Sequence, residues 1–436
     1  MNPSIAMPTY SQSTKVFARI GLLSFGGPAG QIALMHRELV DELGWIEDEQ
    51  FLNALNFCHL LPGPEAQQLA TYIGWKLHGL RGGLTAGILF ILPGALAMLG
   101  LSTAYSAASG LGWFEALFTG IKAAVLAIVL QALVRIAGRA LDTVFKRVLA
   151  FLAFAGLFMF SLPFPLIVLG AGLVGAIVAS RKPEWMALKP GGNSAVQRPS
   201  VRAMAGTVLV WLVVWALPLM AVLAFLGRQH VLWDIGIFFS QLAVVTFGGA
   251  YAVLAYMAQE AVNGFGWLSA GEMTDALGLA ETTPGPLILV TQHVGFLAAA
   301  RSPAPFTPLV AGILGAGLTT WVTFVPCFLW IFTFAPWIEW LQRSPRLKGG
   351  LAAVTASIVG VIANLTLWFA IHVLFTRVKP LKFGPIQAVV PLPDSFQVMP
   401  FVITVIAVVA IFRFRLNVML VLAFASLLGL GLHGVS

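Results

Sequence analysis

"LLPGPEAQQ", Leu60 to Gln68, lies inside a long apolar stretch, and its reading decides the fold. Two prolines bracket a glycine where a membrane-length helix would otherwise run through. Proline removes a backbone N–H and clashes with the preceding turn, and glycine accepts the conformations that a break needs. In hydrocarbon such a break strands backbone polar groups. It is tolerated only when buried in protein or facing a water-filled cavity. The second half of the chain repeats it as "TTPGPLILV", Thr282 to Val290.

The chain around these breaks is built for a bilayer. Of its 436 residues, 59% are hydrophobic and 10% charged, with a mean hydropathy of +0.90. A soluble domain carries roughly 25% charged residues. Apolar segments fall at about 16–40, 50–78, 82–108, 113–138, 147–161, 164–180, 204–226, 236–260, 272–297, 307–334, 348–376, 397–412 and 416–433. About 20 residues cross a ~30 Å hydrocarbon core. The expected class is therefore an all-α polytopic membrane protein with about thirteen transmembrane segments. Cys58 and Cys327 lie alone in apolar segments and read as small packing residues, so no metal and no cofactor is expected. The N-terminal "MNPSIAMPTYSQSTK" lacks the pattern of a cleaved signal. The net charge of +8 sits largely in loops such as "RKPEWMALKPGGNSAVQRPSVR". There it marks a cytoplasmic face rather than a nucleic-acid partner.

The two halves are related at one offset. "SFGGPAGQIALMHRELVDELGW" (24–45) aligns with "TFGGAYAVLAYMAQEAVNGFGW" (246–267), so that Gly26, Gly27 and Glu38 fall on Gly248, Gly249 and Glu260. The same offset puts Pro62, Gly63 and Pro64 on Pro284, Gly285 and Pro286. The expected organisation is a first repeat over 1–180, a basic linker with a seventh helix over 181–235, and a second repeat over 236–436. Seven crossings before the second repeat turn it upside down. Arg135, Arg139, Lys146 and Arg147, then Arg181, Lys182, Lys189, Arg198 and Arg202, then Arg343, Arg346 and Lys348, then Arg413 and Arg415, all fall on one side if every segment crosses. The positive-inside rule makes that side cytoplasmic and the N-terminus with it. Arg377, Lys379 and Lys382 fall on the opposite side.

Inverted repeats with broken helices at matching positions mark secondary transporters. A helix restarting after Pro64 or Pro286 aims free N–H groups and partial positive charge at the cavity, which suits an anion without a basic side chain. The alternative is a pair of proline kinks that serve only helix packing.

The sequence also resembles the chromate ion transporter (CHR) family. The resemblance rests on "FARIGLLSFGGPAGQIALMHRELV", on "NFCHLLPGPEAQQLATYIGWKLHGLRGGLTAGILFILPGAL" and on "VTFGGAYAVLAYMAQEAV" with "GWLSAGEMTDALGLAETTPGPLILVTQHVGF". It spans about residues 15–376. It implies a carrier of the bacterial inner membrane that exports chromate. Sulfate, another tetrahedral dianion, is the natural analogue.

The candidate substrate-binding set is Arg19, Gly26, Gly27, Pro62, Gly63, Pro64, Glu65, Gln68, Gly248, Gly249, Thr282, Thr283, Pro284, Gly285, Pro286 and Gln292. Arg19 lies one turn before the Gly-Gly break, where an intramembrane arginine could grip an anion or snorkel to the surface. Its mate in the second repeat is Gln241. Thr282 and Thr283 could donate hydroxyls to oxyanion oxygens or bond their own helix. Gln67, Gln68 and Gln292 could donate amides to the anion or bridge helices. Glu65 suits a helix start electrostatically and could also exchange a proton. Glu281, Asp275 and Asn53 could join one polar cluster with it. Glu38 and Glu260 read as caps or gates at opposite interfaces, His59 and His293 as hydrogen-bond partners, and Lys122 as an intramembrane cation without a repeat mate.

An oxyanion importer or exchanger is the alternative within transport. An intramembrane enzyme fits poorly. No HExxH zinc motif and no G-x-S-x-G elbow occurs, which leaves only a Glu65–Glu281 carboxylate pair. No catalytic residue is assigned, and the oligomeric state is left open.

Overall fold

Where an apolar run has no interior break it forms a long helix, because a helix satisfies its own backbone in a medium that offers no partners. The computed structural model describes residues 7–25, 27–186, 201–247, 250–338, 344–384 and 386–433. The described residues form sixteen α-helices: α1 Tyr10–Leu23, α2 Gly27–His36, α3 Asp48–Cys58, α4 Glu65–Ala108, α5 Gly112–Ala140, α6 Val144–Phe160, α7 Phe164–Arg181, α8 Val201–Phe225, α9 Val231–Val245, α10 Ala250–Gln259, α11 Ala270–Thr282, α12 Val290–Arg301, α13 Pro308–Phe334, α14 Pro345–Leu374, α15 Val398–Phe412 and α16 Val418–His433. Six helical stretches are long and apolar enough to cross a membrane: Glu65–Ala108, Gly112–Ala140, Phe164–Arg181, Met204–Phe225, Pro308–Trp337 and Pro345–Leu374. The protein is an all-α polytopic membrane protein. Lys189, Arg198 and Arg343 lie outside the described residues.

The repeat carries into local structure. α2 and α10 both run on into π-helical turns, Arg37–Glu42 and Glu260–Gly264. The following Gly44 and Gly266 both have positive φ, 59° and 64°. The compact units nevertheless cut across the repeats. One unit comprises Met1–Thr103, Asn193–Ala250 and Thr283–Arg343, and the other Ala104–Gly192, Tyr251–Thr282 and Ser344–Ser436.

In the first unit, the segments expected to cross at 16–40 and 50–78 do not run straight. Arg19 on α1 pairs with Glu38 beyond α2. A straight helix would hold these residues about 28 Å apart, out of reach of two side chains, so the chain folds back between α1 and α2. Likewise Lys76 Nζ donates to Gln50 Oε1 at 2.9 Å, and Phe57 and Tyr72 have ring centroids 5.8 Å apart. The Pro-Gly-Pro break thus turns the chain between α3 and the first arm of α4. α4 itself reverses at His78–Gly79, where φ/ψ leave the helical region. Its two arms meet so closely that a Cβ on Gly83 would lie 3.1 Å from the Thr71 carbonyl oxygen. Ser13 Oγ lies 2.8 Å from His78 Nε2, which sets the start of α1 beside this turn. Two helical hairpins therefore begin and end at one level, and the second arm of α4 leaves as a long helix.

The second unit packs α6, α7, α11, α15 and α16 against the long helices α5 and α14. At Gly120, Gly360 and Gly175 an added Cβ would fall on carbonyl oxygens of the facing helices, at Ala425, Ala150 and Gly349. Close backbone approach through small residues is how helices associate without a hydrophobic driving force. One end of this unit gathers the α5–α6 loop, the end of α7 and the start of α14. Thr143 Oγ1 donates to the Trp185 carbonyl at 2.8 Å, and a Cβ on Gly349 would strike Ala179. Arg139, Lys146, Arg147, Arg181, Arg346 and Lys348 all belong to that end. The opposite end carries a feature the sequence reading did not anticipate. After α14 the chain forms a small antiparallel hairpin, β1 Val378–Phe383 with β2 Ile386–Pro391, in register from Val378↔Pro391 to Phe383↔Ile386.

Candidate functional site

The breaks of the first unit are stitched across the repeats. The Gly63 N–H donates to the Thr246 carbonyl at 2.7 Å, and the Gly285 N–H donates to the Ser24 carbonyl at 2.8 Å. Each Pro-Gly-Pro of one repeat thus satisfies the Gly-Gly break of the other, as a two-fold relation requires. Ser24 and Thr246 play matching roles: each hydroxyl donates to the carbonyl one turn back, Ile20 or Leu242, at 2.6 Å. Gly63 and Gly285 have φ of 123° and 83°, conformations that favour glycine. The N–H groups of these two glycines, both in the candidate binding set, are therefore spent on carbonyls. The donors left over are the N–H groups of Glu65, Ala66 and Gln67 at the start of α4. They have no acceptor among the described residues, and all three residues are buried. Leu287 and Ile288 repeat this on the other side.

Glutamines surround the stitched breaks. Gln31 Nε2 donates to the Gly285 carbonyl at 2.6 Å and Gln68 Nε2 to the Pro62 carbonyl at 2.7 Å. Gln292 Nε2 donates to the Ala95 carbonyl at 2.9 Å, and Gln67 Nε2 to Thr71 Oγ1 at 3.1 Å. Each of the four leaves its Oε1 buried without a partner among the described residues. Buried polar atoms are normally paired; these four carboxamide oxygens are exceptions. Cys327, read as a packing residue, lines the first break: a Cβ on Gly63 would lie 2.8 Å from its Sγ and 2.7 Å from Gln68 Nε2. Gln31 was missed because its repeat mate is Val253, so symmetry gave no signal. Ser24 and Thr246 were legible as the hydroxyl residue before each Phe-Gly-Gly.

The other candidates fall elsewhere. Gly26, Gly248 and Gly249 lie outside the described residues; Gly27 opens α2 with φ 69°. Arg19 has an acidic partner, Glu38. Its guanidinium is held by the buried Glu38 carboxylate while its own side chain is half exposed. Arg19→Ala and Glu38→Gln are accordingly expected to act alike, with the half-saturation constant for anion uptake changing less than about threefold, because a half-exposed pair contributes ~0–1 kcal/mol. Uptake titrations of both variants check this. His59 Nδ1 lies 3.7 Å from the buried Glu65 carboxylate, and His293 Nδ1 lies 2.9 Å from Ser102 Oγ. Thr283 is buried in the first unit.

Thr282 belongs to the second unit and donates its hydroxyl to its own helix, to the Leu279 carbonyl at 2.8 Å. Glu281 and Asp275 also belong there, with partners of their own. Tyr251 donates to Glu281 at 2.9 Å; Asp275 accepts from Tyr105 at 2.8 Å and lies 3.0 Å from Lys122 Nζ. Glu281 and Asp275 thus each have partners within their own unit. Among the described residues no group of three or more His, Cys, Asp or Glu could hold a metal ion.

A family profile described as chromate transporter matches residues 11–176 and 233–430. The chain belongs to the chromate transporter family. The transporter is 33% identical over 382 residues to the chromate transport protein of Pseudomonas aeruginosa, covering 86% of this chain and 84% of that one. It is 29% identical over 360 residues to the probable chromate transport protein of Synechococcus elongatus, covering 82% and 84%. The chromate transport protein of Cupriavidus metallidurans is 28% identical over 367 residues, covering 83% and 84%. No solved structure matches the transporter. Its family is one of transporters rather than enzymes.

Proposed function

We propose that the chain exports chromate across the bacterial inner membrane by alternating access, holding the dianion at the stitched breaks of the first unit. The observation that carries this reading is the reciprocal bonding of Gly63 to Thr246 and Gly285 to Ser24. Helix starts with unspent N–H groups and buried glutamines accompany these bonds. Helix starts favour anions by their partial charge and free donors. A carboxamide can rotate to present its NH2 end, so Gln31, Gln67, Gln68 and Gln292 can trade a carbonyl bond for a bond to an oxyanion oxygen. Glu65 stands at the same helix start and would compete with the anion for it. In this reading Pro62–Pro64 and Pro284–Pro286 shape the site, Thr283 adds a hydroxyl, and Arg19 and Thr282 hold structure.

Orientation follows from charge. With the arginine- and lysine-rich end of the second unit in the cytoplasm, the N-terminus is cytoplasmic and the C-terminus external. The α1–α2 hairpin and the α3–α4 hairpin then dip into the membrane from the cytoplasmic side, and α9–α12 do so from outside by the repeat. The long second arm of α4 and α5–α8 and α13–α16 are the crossings.

Export needs no coupled ion. One charge moving through the membrane potential is worth about 2.3 kcal/mol per 100 mV; a dianion gains about 4.6 kcal/mol. At ~1.4 kcal/mol per decade this sustains a gradient of about three decades. Radiolabelled chromate uptake into everted vesicles tests the reading. Uptake is expected under an inside-positive potential alone and is expected to be blocked by excess sulfate. A strict requirement for a pH gradient would move Glu65 to the centre of the mechanism, and no uptake under any gradient would overturn it.

A further inference from the structure

The second unit holds a cavity of about 120 Å³ at the end opposite its cytoplasmic-type basic loops. Its wall includes Ser161 from the α6–α7 turn, Gln259 and Asn263 from the end of α10, Asn364 and Trp368 from α14, and strand β2. Those five side chains can all donate hydrogen bonds. None of the five donates one to another described residue; Gln259, Asn364 and Trp368 are half-buried, and Ser161 and Asn263 are exposed at the wall. The lining includes no carboxylate. The nearest acid in sequence, Glu260, turns away onto its own π-helical turn, where a Cβ on Gly264 would lie 2.5 Å from its Oε2.

The cavity also accounts for the charges that broke the positive-inside pattern. Arg377, Lys379 and Lys382 all belong to the hairpin that closes it. Arg377 is occupied by Asp394 at 2.5 Å, whereas Lys379 on β1 is exposed. The hairpin is tied at its base: Thr376 N–H donates to the Ser395 carbonyl at 3.1 Å and Gln397 N–H to the Leu374 carbonyl at 2.8 Å. An exposed lysine on a fixed ribbon, on the side that usually avoids basic residues, attracts anions toward that end of the unit.

We propose that this cavity is an outer vestibule that binds a tetrahedral dianion, through neutral donors inside and Lys379 of the hairpin that closes it, as a station distinct from the stitched breaks. The ligand class rests on the transport reading above; the cavity, its donors and its ribbon do not.

The test reads binding without transport. Asn263 is exposed at the wall, so Asn263→Cys in the full-length protein can be labelled from outside right-side-out vesicles by an impermeant anionic methanethiosulfonate. Sulfate and molybdate, which do not oxidise thiols, serve as probes at constant ionic strength set with chloride. Saturating external sulfate or molybdate is expected to slow labelling at least about threefold, and Lys379→Glu to raise the half-protecting concentration at least about threefold. Labelling that ignores both dianions, or that chloride slows equally, overturns the vestibule. Should Asn263→Cys fail to fold, Ser161→Cys, also exposed, carries the same test. Protection without chromate transport would sink the transport reading and leave the vestibule standing; transport without protection would do the reverse.

Discussion

A cysteine at Glu47 is expected to react only from the cytoplasmic side of the membrane, and a cysteine at Phe265 only from the outside. Thirteen straight crossings require the opposite at both positions. Glu47 lies in the turn between α2 and α3, and Phe265 follows the π-helical turn after α10; both side chains are exposed. The expectation follows from the folding back of α1 onto α2, fixed by Arg19 and Glu38, and of α3 onto α4, fixed by Gln50 and Lys76. In the second unit Tyr251 at the start of α10 bonds Glu281 at the end of α11, so these two helices also form a hairpin. The end of α10 shares a cavity wall with Ser161 and the β-hairpin, on the non-cytoplasmic side. Removing two crossings from each repeat leaves the parity, and so the inversion, unchanged. An impermeant maleimide applied to intact cells and to everted vesicles separates the two topologies. The native Cys58 and Cys327 are buried and provide the background. Glu47→Cys labelled from outside would discard the hairpin reading.

Gly63→Ala is expected to reduce chromate uptake at subsaturating substrate by at least about tenfold. Its φ of 123° is a region that residues with a side chain avoid, at a strain of about 1–3 kcal/mol. The new Cβ would also meet Gln68 Nε2 at 2.7 Å and Cys327 Sγ at 2.8 Å. Relief requires the break to shift, which pulls the Gly63 N–H from Thr246 and moves Gln68. Each ~1.4 kcal/mol lost in the transport transition state is a factor of ten. Gly100→Ala on α4 is the control, since a Cβ there meets nothing within 4 Å and alanine favours the helix by about 1 kcal/mol. Uptake rates normalised to protein in the membrane, with melting temperatures for both variants, make the comparison. Gly63→Ala with wild-type uptake and melting temperature would show that the stitched break does not hold the site.

The sequence by itself determined the class, the repeat and the breaks. Composition placed the chain in lipid, and the apolar segments without an interior break reappear as helices within a few residues of their expected bounds, whereas 16–40, 50–78, 236–260 and 272–297 each split into two helices. Pro62–Pro64 and Pro284–Pro286 announced their breaks because proline and glycine act on the backbone locally, whatever surrounds them. What happens after a break is not local. Whether a helix resumes its direction or reverses depends on partners distant in sequence, such as Arg19 with Glu38 or Gly63 with Thr246, and only the tertiary structure decides it. The same holds for Arg19, whose carboxylate partner was not revealed by spacing, and for Gln31, invisible because its repeat mate is a valine. Asp275 and Glu281 fell to partners in their own unit, Lys122 with Tyr105 and Tyr251. A buried carboxylate is held by whichever donor the fold brings within reach, and one-dimensional spacing does not contain that information.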